Sequence, residues 1–342
     1  IHIEPFENTV RVRYRIDGEL QEMAPLPFKY RAAIVSRAKI MADLDISERR
    51  LPQDGRIKIK IGDRTVDLRV SVLPTIFGEK VVMRILDPRS LMVDLTKLGF
   101  PERSLEQFKQ AISMPYGMIL VTGPTGSGKT TTLYSALKEI NSEDINIMTA
   151  EDPVEYNFDG INQVQIKSEI GLTFAACLRS FLRQDPDVVM VGEIRDGETA
   201  EIAIRAALTG HLVFSTLHTN DAPSTINRLV DMGIPSYLVA SSTRLIMAQR
   251  MVRRICISCK HEVSVPPETL RSLGFAEEEL DTVKIFEGRG CSDCNNTGYS
   301  GRSGIFEVMP VTPAIEKMIL AGTSNQELKE QSIKEGMWSL RM

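Results

Sequence analysis

Residues 118–131 read MILVTGPTGSGKTT, an apolar run followed by a glycine-rich segment and a lysine. The run at 118–122 has the length and composition of a strand that is buried on both faces. The pattern Gly-x-x-x-x-Gly-Lys-Thr from Gly123 to Thr130 is that of a phosphate-binding loop, and it stands after a strand and before a helix, as such a loop must. A chance glycine-rich turn is the alternative, but the complete motif in this context predicts a nucleotide site.

The residue types of this loop suit a bound nucleotide. Glycines let consecutive backbone N–H groups point inward around an anion, and the following helix contributes the positive end of its dipole. Lys129 is expected to reach the β- and γ-phosphates of ATP, and the hydroxyl of Thr130 is expected to bind Mg²⁺. The predicted nucleotide-binding residues are Gly123, Pro124, Thr125, Gly126, Ser127, Gly128, Lys129, Thr130 and Thr131.

Short apolar runs and helical patterns alternate around the loop. Strands are predicted at 145–149, 188–191 and 211–216, and helices at 130–140, 173–183 and 197–208. Because such alternation is typical of strand–helix–strand units, the sequence predicts an α/β fold with a parallel sheet and helices on both faces.

The amino-terminal part has a different organisation. Polar and apolar residues alternate at 10–16 and 57–61, and residues 28–44 suit an amphipathic helix, so a smaller α+β domain is predicted there. Beyond residue 250 the chain is irregular and holds four of the five cysteines. The predicted divisions are a domain at 1–88, a linker at 89–97, a core at 98–250, a cysteine-containing subdomain at 251–305 and a C-terminal helical segment at 306–342.

The composition excludes several classes of protein. The chain has 342 residues, 41 Lys and Arg against 45 Asp and Glu, and a formal net charge of −4, so it lacks the basic excess of a dedicated nucleic-acid-binding protein. Aromatic residues make up 6%, which argues against a stacking surface for bases. No apolar run reaches about 18 residues, so no transmembrane helix is predicted. The chain begins at Ile1, and a fragment that has lost an amino-terminal domain is expected.

Two acidic segments follow predicted strands and are expected at the same sheet edge as the loop. Glu193 follows the run at 188–191, and its predicted role is to organise Mg²⁺, directly or through water. Glu151 follows the run at 145–149 and is the predicted general base or water-positioning group. For Glu193 a solvated loop acid is the alternative, and for Glu151 it is an acidic surface turn at Pro153.

A third predicted strand ends in a polar segment that contains His218 and Thr219. At the carboxyl edge of the sheet, these side chains are expected to touch the γ-phosphate or the attacking water and so to sense the nucleotide state. A lone histidine is more often structural. Only the position after the strand favours the functional interpretation of His218.

Two Cys-x-x-Cys pairs, Cys256 with Cys259 and Cys291 with Cys294, lie in the irregular region. Each pair can supply two corners of a tetrahedral site, so the sequence predicts a closed, structural Zn²⁺ site. A redox dithiol and chance pairs are the alternatives. The segment lacks the histidine ligands and helix spacing of a nucleic-acid-binding finger.

The order of these motifs resembles that of one family of motor ATPases. The phosphate loop is followed by Glu151–Glu155 (EDPVE), Gly192–Asp196 (GEIRD) and Gly210–Asp221. These four segments are similar to the Walker A motif, Asp box, Walker B motif and His box of type II secretion ATPases and of type IV pilus assembly and retraction ATPases. The segments Gly160–Gln165 and Leu178–Pro186, with the cysteine pairs, look most similar to the pilus assembly ATPase.

The resemblance implies a fold and an assembly. Members of this family contain a PAS-like domain that a linker joins to a RecA-like core, and a zinc-bound subdomain follows. The resemblance implies that these parts are 1–88, 89–97, 98–250 and 251–305 in this chain. The resemblance implies a homohexameric, cytoplasmic motor at the inner membrane, in which ATP hydrolysis rotates one domain against the other about the linker. The implied partner is an inner-membrane pilus platform protein, and no nucleic acid is expected.

The resemblance also assigns a role to two arginines of the amino-terminal domain. Family members bring two such arginines to the nucleotide, and the matching positions here are Arg69 and Arg84. A guanidinium suits this role because it pairs with two phosphate oxygens at once and stabilises transition-state charge. From the residues alone, both would be solvated strand arginines.

The leading hypothesis is therefore an ATP-driven motor for type IV pilus assembly, with type II secretion as the nearest alternative. A DNA-translocating ATPase would use the same core, but the acidic balance and the few aromatic residues argue against it. A nucleotide-dependent scaffold without turnover is the third class, and the presence of both Glu151 and Glu193 argues against it.

Overall fold

The computed structural model describes residues 1–62, 64–86 and 94–341. The chain divides into two compact units, one of Ile1–Arg250 with Phe306–Met342 and the other of Met251–Ile305. Of the predicted linker at 89–97, residues 89–93 lie outside the described residues. The further division of the first unit into an amino-terminal domain and a core stays a prediction.

The chain begins with an antiparallel sheet and one helix. The elements are β1 (His2–Pro5), β2 (Val10–Ile16), β3 (Glu19–Glu22), α1 (Arg31–Met41), β4 (Gln53–Ile61), β5 (Arg64–Thr75) and β6 (Gly78–Leu86). Among the described residues, the strands lie in the order β3-β2-β1-β6-β5-β4. Val70, Val72 and Val81 point to one face of the sheet, where they are buried with Val35 and Ala38 of α1.

Helix α1 is shorter than the helix predicted at 28–44. A 3₁₀ turn occupies Phe28–Tyr30, and Asp43 has a φ of 57°, a left-handed conformation that ends a helix. The apolar periodicity continued past both points, so periodicity alone did not locate the ends.

Glu4 on β1 joins the neighbouring strands β2 and β6 through charges. Its carboxylate accepts hydrogen bonds from Arg13 (2.8 and 2.9 Å) and lies 2.9 Å from the ammonium of Lys80. Burial raises the pKa of Glu4, but the bonds from Arg13 and Lys80 outweigh it and lower this pKa from 4.5 to about 2. The paired carboxylate therefore stabilises the folded state wherever it is ionised.

We expect Glu4→Gln to lower the free energy of unfolding at neutral pH by about 3 kcal/mol. Because the folded-state pKa of Glu4 is depressed, its contribution is complete above pH 4.5 and is lost as the pH falls toward 2. Urea unfolding at neutral pH and at about pH 3 measures the difference. Glu7→Gln, at an exposed position, is the control, and an equal loss in Glu4→Gln at both pH values would contradict the expectation.

The middle of the chain alternates between helices and strands. Its elements are α2 (Glu102–Ile112), β7 (Gly117–Thr122), α3 (Lys129–Ile140), β8 (Ile147–Glu151), β9 (Ile161–Gln165), α4 (Phe174–Phe181), β10 (Val188–Val191), α5 (Gly197–Leu208), β11 (Leu212–Leu217), α6 (Ser224–Asp231), α7 (Ser236–Ser242) and β12 (Thr243–Ile255). The remaining elements are β13 (Lys260–Val263), α8 (Pro267–Leu273), β14 (Ile285–Gly288), β15 (Tyr299–Pro310), α9 (Pro313–Leu320) and α10 (Asn325–Lys334).

Within the described residues, a second sheet has the strand order β15-β12-β7-β11-β10-β8-β9. All pairs from β12 to β9 in this order are parallel. Met118 and Leu120 of β7 belong to the core that contains α4 and α5, whereas Ile119 and Val121 belong to the core that contains α3. The predicted α/β class, with helices on both faces of a parallel sheet, is confirmed.

The parallel register brings the ends of four strands to one edge. Thr122 of β7 pairs with Leu217 of β11, and Val191 of β10 pairs with Ala150 of β8. The loops that follow these strands therefore emerge side by side.

Strand β8 begins and ends two residues later than predicted. Its last residue, Glu151, pairs with Gln165 of β9, a strand that the sequence did not predict. Pairing stops there because Pro153 has no backbone N–H to give to a ladder. Glu151 is thus the end of a strand and not part of the loop that follows it.

The unit Met251–Ile305 contains an antiparallel pair, β13 with β14, and helix α8. Its buried apolar residues are few: Cys256, Leu270 and Cys294. None of the helices that the structure describes has the length and hydropathy needed to cross a bilayer.

Candidate functional site

The phosphate loop connects β7 to α3. Gly123, Gly126 and Gly128 have φ values of 144°, 79° and 89°, a region of backbone conformation that favours glycine. A Cβ at Gly123 would also clash with the carbonyl oxygen of Gln249 on β12. The loop conformation therefore depends on the glycines that the motif supplies.

Two side chains of the loop fit a phosphate group. Lys129 is 9% exposed, and its Nζ donates to the carbonyl oxygens of Gly123 (2.8 Å) and Pro124 (3.1 Å). Burial lowers the pKa of Lys129, and the negative charge of Glu193 opposes this shift. The hydroxyl of Ser127 is buried without a hydrogen-bond partner among the described residues. A phosphate would give both groups an anionic partner, so these residues fit a nucleotide.

The other predicted nucleotide contacts lie in the same segment. Pro124 and Thr125 are exposed in the loop, and Thr130 and Thr131 lie in the first turn of α3. Thr130 is exposed and Thr131 is half-buried. The hydroxyl predicted to bind Mg²⁺ is thus on an accessible residue at the helix start.

Glu151 is a buried carboxylate at the end of β8, with 3% of its surface exposed. Its Oε2 accepts a hydrogen bond from the hydroxyl of Tyr134. Its Oε1 accepts one from the hydroxyl of Thr149 (2.6 Å) and one from Nε2 of Gln163 (3.1 Å). An acidic surface turn, the alternative that the sequence left open, does not describe a carboxylate held by three donors.

Glu193 follows β10 and lies between a cation and a histidine. It forms an ion pair with Arg195, and its Oε2 lies 3.4 Å from Nε2 of His218. The side chain of Glu193 is 17% exposed, against 51% for His218. Arg195 also lies 3.9 Å from Asp152, in the segment that follows Glu151. The structure thus brings the predicted metal-organising acid and the predicted histidine together.

Thr219 ties the histidine loop to the end of β7. Its N–H donates to Oγ1 of Thr122 (2.8 Å), and the two hydroxyl oxygens are 2.7 Å apart. The Thr219 hydroxyl also donates to the carbonyl of Asp221 (2.9 Å). Because Thr219 is bonded within the protein, His218 is the member of the pair that is accessible beside Glu193.

Arg69 contacts the segment that follows Glu151. Its Nη2 donates to the carbonyl of Val154 (2.9 Å) and lies 3.1 Å from the carboxylate of Glu155. Arg84 is the cross-strand neighbour of Arg69 and is exposed. In this structure Arg69 therefore binds the segment 152–155 after β8, which we call the Asp-box loop, while Arg84 lies next to Arg69 on β6.

The four cysteines of the pairs form one cluster. The sulfur of Cys291 lies 3.8 Å from that of Cys256 and 3.7 Å from that of Cys294, and the sulfurs of Cys259 and Cys294 are 3.9 Å apart. A tetrahedral ZnS₄ site with Zn–S bonds of about 2.3 Å has sulfur–sulfur edges of about 3.8 Å. The donor set and its spacing therefore fit Zn²⁺.

One of these sulfurs, that of Cys294, accepts hydrogen bonds from backbone amides. The N–H groups of Cys291 (3.2 Å) and Gly298 (3.3 Å) donate to Sγ of Cys294. Burial raises the pKa of the Cys294 thiol, but the amide donors outweigh burial and lower this pKa to about 6. Amide donors of this kind stabilise the thiolate form, which is the form that binds a metal.

The family model described as "Type II/IV secretion system protein" matches residues 1–342. The chain belongs to the type II/IV secretion system protein family. This membership agrees with the resemblance drawn from the order of the four motifs.

Two relatives of this chain belong to different systems. The type IV pilus assembly ATPase PilB of Myxococcus xanthus (strain DK1622) is 60% identical over 344 residues, which cover 100% of this chain and 61% of that protein. The type II secretion system ATPase E of Vibrio cholerae is 49% identical over 330 residues, which cover 96% of this chain and 65% of that protein. The chain thus spans about three fifths of the length of these relatives.

A solved structure of the pilus retraction motor PilT with bound ADP is similar to the present fold. The TM-score is 0.62 at 26% identity, and the match covers 100% of this chain and 91% of that one.

Two residues at this site of the type II/IV secretion system protein were not singled out from the sequence. Tyr134 lies at an apolar position of α3, and Gln163 lies on the unpredicted strand β9. Tyr134 carries no motif signal, and Gln163 lies in the segment 160–165, whose resemblance to the family gave no role to any single residue. Their contact with Glu151 depends on the packing of α3 and on the pairing of β8 with β9.

Proposed function

We propose that this type II/IV secretion system protein is an ATP-hydrolysing motor for type IV pilus assembly. The observation that carries the proposal is that the phosphate loop, Glu151, Glu193 and His218 all follow or end strands at one edge of the parallel sheet. The 60% identity to a relative named as a pilus assembly ATPase supports the pilus system. The ADP in the similar retraction motor supports an adenine nucleotide.

In the proposed reaction, water attacks the γ-phosphorus of ATP, and the bond to the β–γ bridging oxygen breaks. ADP and phosphate leave, and the proton that the water loses is released to the solvent. Lys129 exchanges its two carbonyl partners for phosphate oxygens. Thr130 and Glu193 would hold Mg²⁺, which when bound would neutralise phosphate charge. Glu151 orients the attacking water, and His218 contacts the γ-phosphate beside Glu193.

We assign residues 1–88 to a PAS-like domain that supplies Arg69 and Arg84 to nucleotide in a homohexameric ring. The two arginines are directly opposite on β5 and β6, an arrangement that is unfavourable for like charges. The carboxylate of Glu155 offsets this repulsion at Arg69, and a nucleotide phosphate would offset it at both arginines. Rotation about the linker at 89–97 would carry both toward a nucleotide. Residues 98–250 are the proposed RecA-like core.

The proposed motor works at the cytoplasmic face of the inner membrane, where it drives a platform protein that adds subunits to the pilus. The subdomain at 251–305 holds one Zn²⁺ and serves as a docking surface. No nucleic acid takes part, so added DNA is not expected to stimulate turnover.

Type II secretion is the second candidate, because a named type II secretion ATPase is 49% identical to this chain. The two systems differ in the membrane protein that the motor contacts. A hydrolysis-deficient form can be used to capture cytoplasmic-membrane proteins, and recovery of a secretion platform in place of a pilus platform would replace the pilus assignment.

We expect the parent protein to hydrolyse MgATP and Glu193→Gln to do so about 10- to 100-fold more slowly, because the variant organises Mg²⁺ less well. The measurements are phosphate release and the Kd of MgATP, which we expect to change little. Glu143→Gln, at an exposed position, makes the same charge change away from the site. Equal, negligible rates in the parent and in Glu193→Gln would rule out the motor.

A further inference from the structure

The two oxygens of the Glu151 carboxylate are held from three elements of the fold. Thr149 and Gln163 hold Oε1 from β8 and β9, whereas Tyr134 of α3 is the one donor to Oε2 among the residues that the structure describes. A carboxylate has about four lone-pair positions. Within the described part of the chain three are occupied, which leaves one for a water molecule.

Tyr134 connects Glu151 to the helix that carries the phosphate loop. It lies four residues after Thr130 on α3, and residues at this spacing share a helix face. Tyr134 is 1% exposed, and its ring packs edge-on against Phe158, with centroids 5.0 Å apart. A shift of the first turns of α3 would therefore be transmitted to Oε2 of Glu151 through a rigid, buried side chain.

The Tyr134 hydroxyl also accepts a hydrogen bond from the backbone N–H of Glu155 (3.3 Å). Glu155 belongs to the loop that Arg69 contacts. One hydroxyl thus joins three parts of the site: the phosphate-loop helix, the Asp-box loop and the carboxylate of Glu151.

The hydroxyl acts as a donor to Glu151 over the physiological pH range. Burial, together with the negative charge of Glu151, raises the pKa of Tyr134 far above its ordinary value. The phenol therefore stays protonated, and the direction of the hydrogen bond is set.

We propose that Tyr134 is a positioning residue for Glu151: it fixes Oε2 so that the remaining lone pair is directed at the attacking water, and it couples this orientation to the phosphate-loop helix. The inference rests on the proposed ATPase function and adds a residue to that site. Tyr134 itself does not touch the substrate, so its removal affects the chemical step more than binding.

The test is Tyr134→Phe, which keeps the ring and its packing against Phe158 and removes the hydroxyl. We expect kcat for MgATP to fall about tenfold, as for loss of a hydrogen bond to a charged group. KM and the Kd of MgATP should stay within about twofold. The control is Tyr156→Phe, which also removes a hydroxyl from a ring that packs against Phe158. We expect kcat to be unchanged in this variant.

A double-mutant cycle with Glu151→Gln shows whether Tyr134 acts through Glu151. We expect Tyr134→Phe to have no further effect on the residual rate once Glu151 is replaced. A full additional loss in the double variant, an unchanged or raised kcat in Tyr134→Phe, or a change confined to KM would each overturn the proposal. Unfolding of Tyr134→Phe while Tyr156→Phe stays folded would also overturn it, since the role would then be structural.

The outcomes separate this inference from the proposed function. An active parent with an unaffected Tyr134→Phe removes the inference and leaves the ATPase. A parent without turnover removes both.

Discussion

Glu151→Gln is expected to lower the turnover of MgATP by about 100- to 10,000-fold, the range for loss of a group that takes or directs a proton in the transition state. The amide keeps the size and shape of the carboxylate but cannot accept a proton. Its NH₂ group would face either the Tyr134 hydroxyl or the two donors Thr149 and Gln163, and a donor against a donor disturbs the orientation of the side chain. The phosphate loop is not altered.

Binding and chemistry should therefore separate in this variant. We expect the Kd of MgATP to stay within about threefold of the parent value while phosphate release is lost. Glu169→Gln, an exposed acid between β9 and α4, is the matched control and should turn over like the parent. Normal kcat in Glu151→Gln would remove Glu151 from its proposed role and transfer the water-orienting function to another residue of the edge, with Glu193 the first to examine.

Removal of Zn²⁺ is expected to unfold Met251–Ile305 while the parallel sheet stays folded. This unit buries Cys256, Leu270 and Cys294 as its apolar residues, which is too little to stabilise a small domain alone. Structural zinc supplies about 10 to 16 kcal/mol in small metal-dependent folds. Zn²⁺ bound to the four sulfurs would therefore supply most of the stability that so small an apolar core cannot provide.

Metal analysis of protein purified under reducing conditions should find one zinc per chain. After chelation, hydrogen exchange should increase throughout 251–305 and stay slow in β7 and β11, which are buried on both faces. Cys291→Ser should lose the metal, whereas Cys177→Ala, at a buried cysteine outside the cluster, should keep it. A metal-free protein that protects 251–305 as well as the parent does would refute the zinc assignment.

Much of the fold of this protein could be predicted from short, local patterns in the sequence. The apolar run before Gly123 predicted a strand covered on both faces, and the glycines predicted the loop between it and α3, because backbone conformation is set by neighbouring residues. The alternation of strands and helices predicted the parallel sheet in the same way. A parallel sheet in turn brings strand ends to one edge, so Glu151, Glu193 and His218 could be predicted to lie at the same edge as the loop.

The ends of helices and strands could be predicted less well, since they depend on contacts with segments that are distant in the sequence. Strand β8 reaches Glu151 because β9 pairs with it, and β9 carries no clear periodicity. The two Cys-x-x-Cys pairs predicted a four-sulfur site, but spacing alone did not show that the pairs meet; the structure brings the sulfurs to within 4.8 Å of one another.

The sequence by itself determined the phosphate loop and the α/β class, because each follows from residue types at fixed short spacing. The family was indicated by resemblance, through the order of the four motifs along the chain. Only the tertiary structure decided how the acidic groups are held. Tyr134, Gln163 and Arg69 come from a helix, a strand and a separate sheet, and no local pattern links them to the loop around Glu151. The physical reason is that a hydrogen bond between such elements depends on how they pack, whereas a motif depends only on the residues next to each other in the chain.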